Sequence, residues 1–155
     1  MSTPPNPPPP PCSAGKGETP TPAVTGSVLT AAPGDRNARG LLDADEFMTV
    51  TATLARNEPA FGWVYCEQVI VETLKFVAAA AQSDERLSPS VIVDKGLHAL
   101  LENTEIHYAV GARLGVFVHH YPTLPGAAPI APGWLERTVA AIHRTGFVED
   151  PEMWT

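Results

Sequence analysis

The chain has no apolar run approaching the roughly 18 residues that a bilayer-spanning helix needs, and its N-terminus has neither the basic region nor the apolar core of a secretion signal. A cytoplasmic protein with no membrane partner is the expectation. Basic residues are scarce: ten Lys and Arg stand against 17 Asp and Glu, for a formal net charge of −7. An excess of that sign repels phosphate backbones and argues against nucleic acid as a partner. There are two cysteines, Cys12 and Cys66, too far apart in character to frame a small disulfide-bonded domain, so reduced thiols are expected. No glycine-rich phosphate-cradling motif occurs, hence no nucleotide cofactor, and no HExxH zinc motif occurs either.

Proline is abundant where order is least expected. Ten of the 17 prolines fall in residues 1–39, among Gly, Ser and Thr and with almost no apolar periodicity. Such a composition cannot bury enough surface to offset the entropy of ordering, so residues 1–39 are expected to be a disordered tail and residues 40–155 the folded domain. The prolines at 7–11 favour an extended left-handed helix, the form that aromatic-lined grooves of protein partners accept; the simpler role is a spacer.

The domain reads as all-α, a small irregular bundle of about four helices. Residues 40–57 carry Leu42, Phe47, Val50 and Leu54 at helical spacing, with Asp43 or Asp45 to cap the start and Pro59 beyond the end. Residues 62–82 are apolar around most of a helical circumference, which predicts the central helix; Glu67, Gln68, Glu72 and Lys75 are expected to mark its wet stripe and Cys66 to be a small core residue. Ser88 as cap and Pro89 in the first turn predict a third helix running to Leu114, with Gly96 as a weak point and Gly115 as its stop. Residues 123–132 are expected to be loop, and residues 133–144 a last helix ended by Gly146. The closing stretch bears Phe147, Met153 and Trp154, which predicts that it folds back and buries Trp154.

Four of the five histidines (His98, His107, His119 and His120) lie in this third helix and the turn behind it, beside Asp94, Glu102 and Glu105. At 100° per residue Asp94, His98, Leu101, Glu105 and Tyr108 share one stripe. Asp94 and His98 at i, i+4 suit a joint grip on one ion, or a carboxylate orienting a ring. If the turn His119-His120-Tyr121-Pro122 packs on that stripe, two histidines and a carboxylate form an open site for Fe(II) or Zn(II). Two nitrogens bound to one zinc at about 2.1 Å lie no more than about 4.2 Å apart, which gives the proposal a geometric criterion.

The string Val93-Asp94-x-x-Leu97-His98-x-x-Leu101-x-x-Thr104, followed by Gly115-x-Phe117-Val118-His119-His120-x-Pro122, resembles the actinobacterial members of the glycine-rich domain-containing protein-like family. Their pattern is Val-Asp-x-x-Trp-His, Thr-x-x-Tyr, a Cys and a closing His-His-x-Pro. The likeness covers roughly residues 62–155, and the alanine- and proline-rich composition is that of proteins from high-GC bacteria. It implies a helical fold and no assigned activity. Leu97 stands at the tryptophan position, His107 at the tyrosine and Gly111 at the cysteine, so a thiol is lost and an imidazole gained.

Three functions answer to these residues. One is a small metal-binding protein acting as a metal-dependent enzyme of a specialised biosynthetic pathway on a small-molecule substrate. Its metal ligands are Asp94, His98, His119 and His120, and its acid-base groups Glu102, Glu105 and His107. The others are a non-catalytic module that binds a protein or ligand, and a metal-free acid-base catalyst using the same cluster.

Overall fold

The computed structural model describes residues 37–121 and 131–155. Of the tail expected over residues 1–39 and the loop expected over 123–132, residues 1–36 and 123–130 lie outside them; Ala38 and Arg39 instead open a 3₁₀ turn in which Ala38 is buried. The described chain forms five α-helices and no strand: α1 (Ala44–Asn57), α2 (Trp63–Gln82), α3 (Val91–Glu102), α4 (Thr104–Leu114) and α5 (Trp134–Arg144), flanked by 3₁₀ turns at Ala38–Leu41 and Pro151–Met153. The all-α expectation holds. None of these helices is long and apolar enough to cross a membrane.

Helix α1 starts where its sequence provides a reciprocal cap: Asp43 Oδ1 accepts from the Glu46 amide at 2.8 Å, and Glu46 Oε2 accepts from the Asp43 amide at 2.9 Å. The same Glu46 receives both guanidinium nitrogens of Arg113, at 2.6 and 2.9 Å, tying the end of α4 to the start of α1. As expected from its apolar girth, α2 is central and packs against α1, α3 and α5. Val69, Ile70, Leu74 and Val77 on α2 meet Val50 and Leu54 from α1, Val93 and Leu100 from α3 and Ile142 from α5 in one core. Cys66 belongs to it, fully buried, and burial pushes its thiol pKa up, so it is inert packing.

Glu72 departs from the expected wet stripe. It is 2% exposed, paired with Lys75 and accepting the Trp154 indole N–H at 2.8 Å. The reason is the closing segment: it folds back as the aromatics predicted, burying Met153 and Trp154, and so covers a face of α2 that would otherwise be wet. Lys75 Nζ also donates to Val148 O at 2.7 Å.

The expected single helix over 88–114 is two helices. Its cap is Ser90 and not Ser88: the Ser90 hydroxyl accepts from the Val93 amide at 3.2 Å and donates to Met153 O at 2.5 Å, so the cap is chosen by the returning C-terminal segment. The break falls at Asn103, whose backbone leaves the helical region (φ −97°, ψ 70°). Its side-chain amide donates to Ala99 O at 2.8 Å and to Thr53 Oγ1 at 3.0 Å, taking the carbonyl that the helix would have used. Gly96, the expected weak point, is instead where α3 crosses α2: a Cβ there would stand 2.1 Å from Thr73 Oγ1.

Candidate metal centre

The site has two halves. Helix α3 supplies Asp94 in its first turn, where the helix dipole favours a carboxylate, and His98 one turn later. The strap of residues 116–121 supplies the other half. Gly115 ends α4 with φ +77°, a conformation open to glycine, and turns the chain back along the helix it has just left. The Val116 amide then donates to Gly111 O at 3.1 Å, and a side chain at 111 would meet Phe117 and Val116 at 3.3 Å. His107 fastens the strap from below, its Nε2–H donating to Val118 O at 3.1 Å while its ring lies 4.6 Å from that of Phe117.

Along the strap the rings of Phe117, His119 and Tyr121 contact one another in i, i+2 steps, at 4.9 and 6.3 Å between centroids. That alternation sends His120 the other way, onto α3. His98 Nε2 and His120 Nε2 are 3.2 Å apart, with the rings perpendicular. Asp94 Oδ2 is 3.9 Å from His98 Nε2, beyond hydrogen-bond reach but within the span of a shared ion. One ligand atom from each of Asp94, His98 and His120 falls within 4.8 Å of the others. Two nitrogens at about 2.0–2.1 Å from a tetrahedral zinc are about 3.3 Å apart, so the imidazole pair already has the separation an ion needs. Without an ion, the same contact is a hydrogen bond between two imidazoles.

The sequence-predicted residues divide accordingly. Asp94, His98 and His120 are brought together; His119 stands on the wall of the same cleft but outside the trio. Glu102 and Glu105 do not line the cleft. Glu102 is held by Arg56 at 3.1 Å and Asn57 at 2.6 Å, and Glu105 lies beyond the break at Asn103, which ends the helical stripe running from Asp94. His107 is 6% exposed, and burial pushes its imidazole below the ordinary 6.5, opposed in part by the bond to Val118. It is a buried fastening under the strap rather than a group facing solvent.

The trio opens onto a cleft of about 560 Å³ between the last turns of α2, the 85–89 connection, α3, the strap and Trp134. Sequence reasoning missed this cleft. The alanines at 80 and 81 read as part of a greasy helix, yet on the cleft wall their small side chains leave the hollow, while Phe76 and Leu97 form apolar wall. Scanned against family models and compared with curated proteins and solved structures, the chain finds no match.

Proposed function

We propose that the protein binds a divalent ion, zinc or iron, through Asp94, His98 and His120 and acts with it as a small metal-dependent enzyme. The observation that carries this is the 3.2 Å approach of two imidazole nitrogens from separate elements, with a carboxylate 3.9 Å from one of them. Three protein ligands leave positions open for substrate, as catalytic sites require and structural ones do not. An ion there would polarise a substrate oxygen or lower the pKa of a water. The chain's own contributions follow from their places. Asp94 balances charge, the apolar walls around Phe76 and Leu97 exclude water, and His119, exposed on the cleft wall, is positioned to hold or pass a proton. A role in a specialised biosynthetic pathway and membership of the glycine-rich domain-containing protein-like family belong to the same proposal. Its support is that Asp94, His98 and His120, which carry the resemblance, are the residues that converge.

A second reading, metal-free acid-base chemistry, draws on the same contact, since two hydrogen-bonded imidazoles can pass a proton between them. Metal content decides between them. The full chain is purified beside a His98→Ala, His120→Ala double variant; His98 is exposed and His120 half-buried, and neither belongs to the core, so the variant is expected to keep the fold. About one ion per chain in the native protein, lost in the variant with an unchanged circular dichroism spectrum, is expected. Equal and substoichiometric metal in both, even after incubation with zinc or ferrous iron, overturns the metal reading and leaves the second.

A further inference from the structure

The cleft beside the trio has a chemical character of its own. Four of the nine large apolar side chains exposed in the described residues, Val91, Val116, Phe117 and Tyr121, gather around this one opening. Exposed apolar side chains scattered singly mean little, but a cluster around a concavity marks a binding surface. Behind them lie Phe76 and Leu97, each 4% exposed. The volume of about 560 Å³ is that of a site for a small organic molecule.

Charge narrows the class. Arg86 is the sole lysine or arginine among the described residues lining the cleft, and its guanidinium lies 4.4 Å over the Tyr121 ring. Arg56, Lys75, Lys95 and Arg113 each have a carboxylate partner elsewhere; Arg86, like Arg39, Arg137 and Arg144, has none among the described residues, and of these four it alone lines the cleft. A guanidinium held over an aromatic ring and not paired with a carboxylate keeps N–H donors for one. The cleft also holds two carboxylates, Glu85 and Asp94. With a divalent ion on Asp94, the ion and Arg86 outweigh them by one positive charge, which favours an anion over a cation.

We propose that the cleft binds an organic acid with a compact apolar body, the hydrocarbon against Phe76, Leu97 and Phe117 and the carboxylate on Arg86. The apolar walls and Arg86 are properties of the cleft itself; the net charge that favours an acid, and the acid's being the substrate, rest on the metal reading above.

The test uses two probes with one ring system, the anion 8-anilinonaphthalene-1-sulfonate and the neutral N-phenyl-1-naphthylamine, titrated by fluorescence into the full chain with excess zinc and with chelator. Zinc affinity is measured separately. One saturable site for both probes is expected, with the anion tighter in zinc. Arg86→Gln lowers affinity for the anion about tenfold, as loss of one charged partner does, and for the neutral probe less than twofold. Val91→Glu, at a 74% exposed first-turn position where a carboxylate suits the helix, also weakens the anion without touching the fold. Equal effects of Arg86→Gln on both probes, or none on either, overturn the acid. A protein that binds zinc but neither probe overturns the cleft proposal and leaves the metal centre standing. A protein that binds the anion through Arg86 but takes up no zinc sustains the acid site and removes the metal reading.

Discussion

Replacing His107 with phenylalanine keeps a ring against Phe117 and deletes the N–H that holds Val118 O at 3.1 Å. A single hydrogen bond of this kind is worth about 1 kcal/mol net, since half-buried Val118 O regains some contact with water. In a domain of this size that lowers the melting temperature by roughly 4 °C. The effect on the metal centre is separable. His107 touches neither an ion ligand nor the cleft, but it fixes the strap two residues before His120. If about 1 kcal/mol of docking energy is lost by the strap, the competent arrangement is less populated and zinc binds more weakly, by up to about fivefold. His107→Gln, whose amide can still donate to Val118 O, recovers most of the affinity. The assays are competition for zinc against a chromophoric chelator and thermal melts of the chelated protein. A melting temperature lowered as expected, with zinc affinity equal in native, Phe and Gln forms, would show that His107 is packing alone and that the strap needs no fastening.

The pH dependence of the same residue has a definite sign. Because burial holds the folded His107 below 6.5, the unfolded chain takes up its proton first. The stability His107 contributes is present above about pH 6.5, the ordinary value, and is lost as pH falls through its lower folded value. In metal-free urea titrations the gap between native and His107→Phe protein therefore narrows from pH 7.5 to 5.5; a gap that widens refutes the sign. Gly96→Ala gains roughly 1 kcal/mol of helix propensity but sets a methyl 2.1 Å from Thr73 Oγ1, and the overpacking cost of about 1–3 kcal/mol wins. The double variant with Thr73→Ala removes the 2.1 Å clash and leaves Val69 Cγ1, at 3.0 Å, to give way, so it should recover part of the stability; no recovery would mean that the hydroxyl is not what limits the crossing. Trp154→Phe removes a hydrogen bond to a buried carboxylate and should cost about 1.5–3 kcal/mol by urea midpoint, coupled to Glu72→Gln in a double-mutant cycle. Independent, additive effects of the two changes would deny the bond.

What was legible in the sequence was whatever local periodicity decides. The central helix, a cap at Asp43 or Asp45, the glycine stop at 115 and the burial of Trp154 all follow from spacing and residue type; the fold takes Asp43. What escaped was decided by segments distant in the chain. Glu72 looks like a surface residue until Trp154 arrives 82 positions later, and Ser90 outcompetes Ser88 because Met153 offers it a carbonyl. The break at Asn103 depends on Thr53 of another helix, and without that partner the stripe joining Asp94 to Glu105 reads as continuous. The pairing of His98 with one of the adjacent histidines was legible as chemistry. Which of the two was not, because strap alternation is fixed by the anchors at Gly111 and His107.

X-ray absorption at the zinc edge of the reconstituted full chain interrogates the trio most directly. The expected spectrum has two imidazole nitrogens and carboxylate or water oxygens at about 2.0–2.1 Å, with the second imidazole missing in His120→Ala and both retained in His119→Ala. A first sphere without paired imidazoles, or one lost on replacing His119 and unchanged on replacing His120, would contradict a metal centre built from Asp94, His98 and His120.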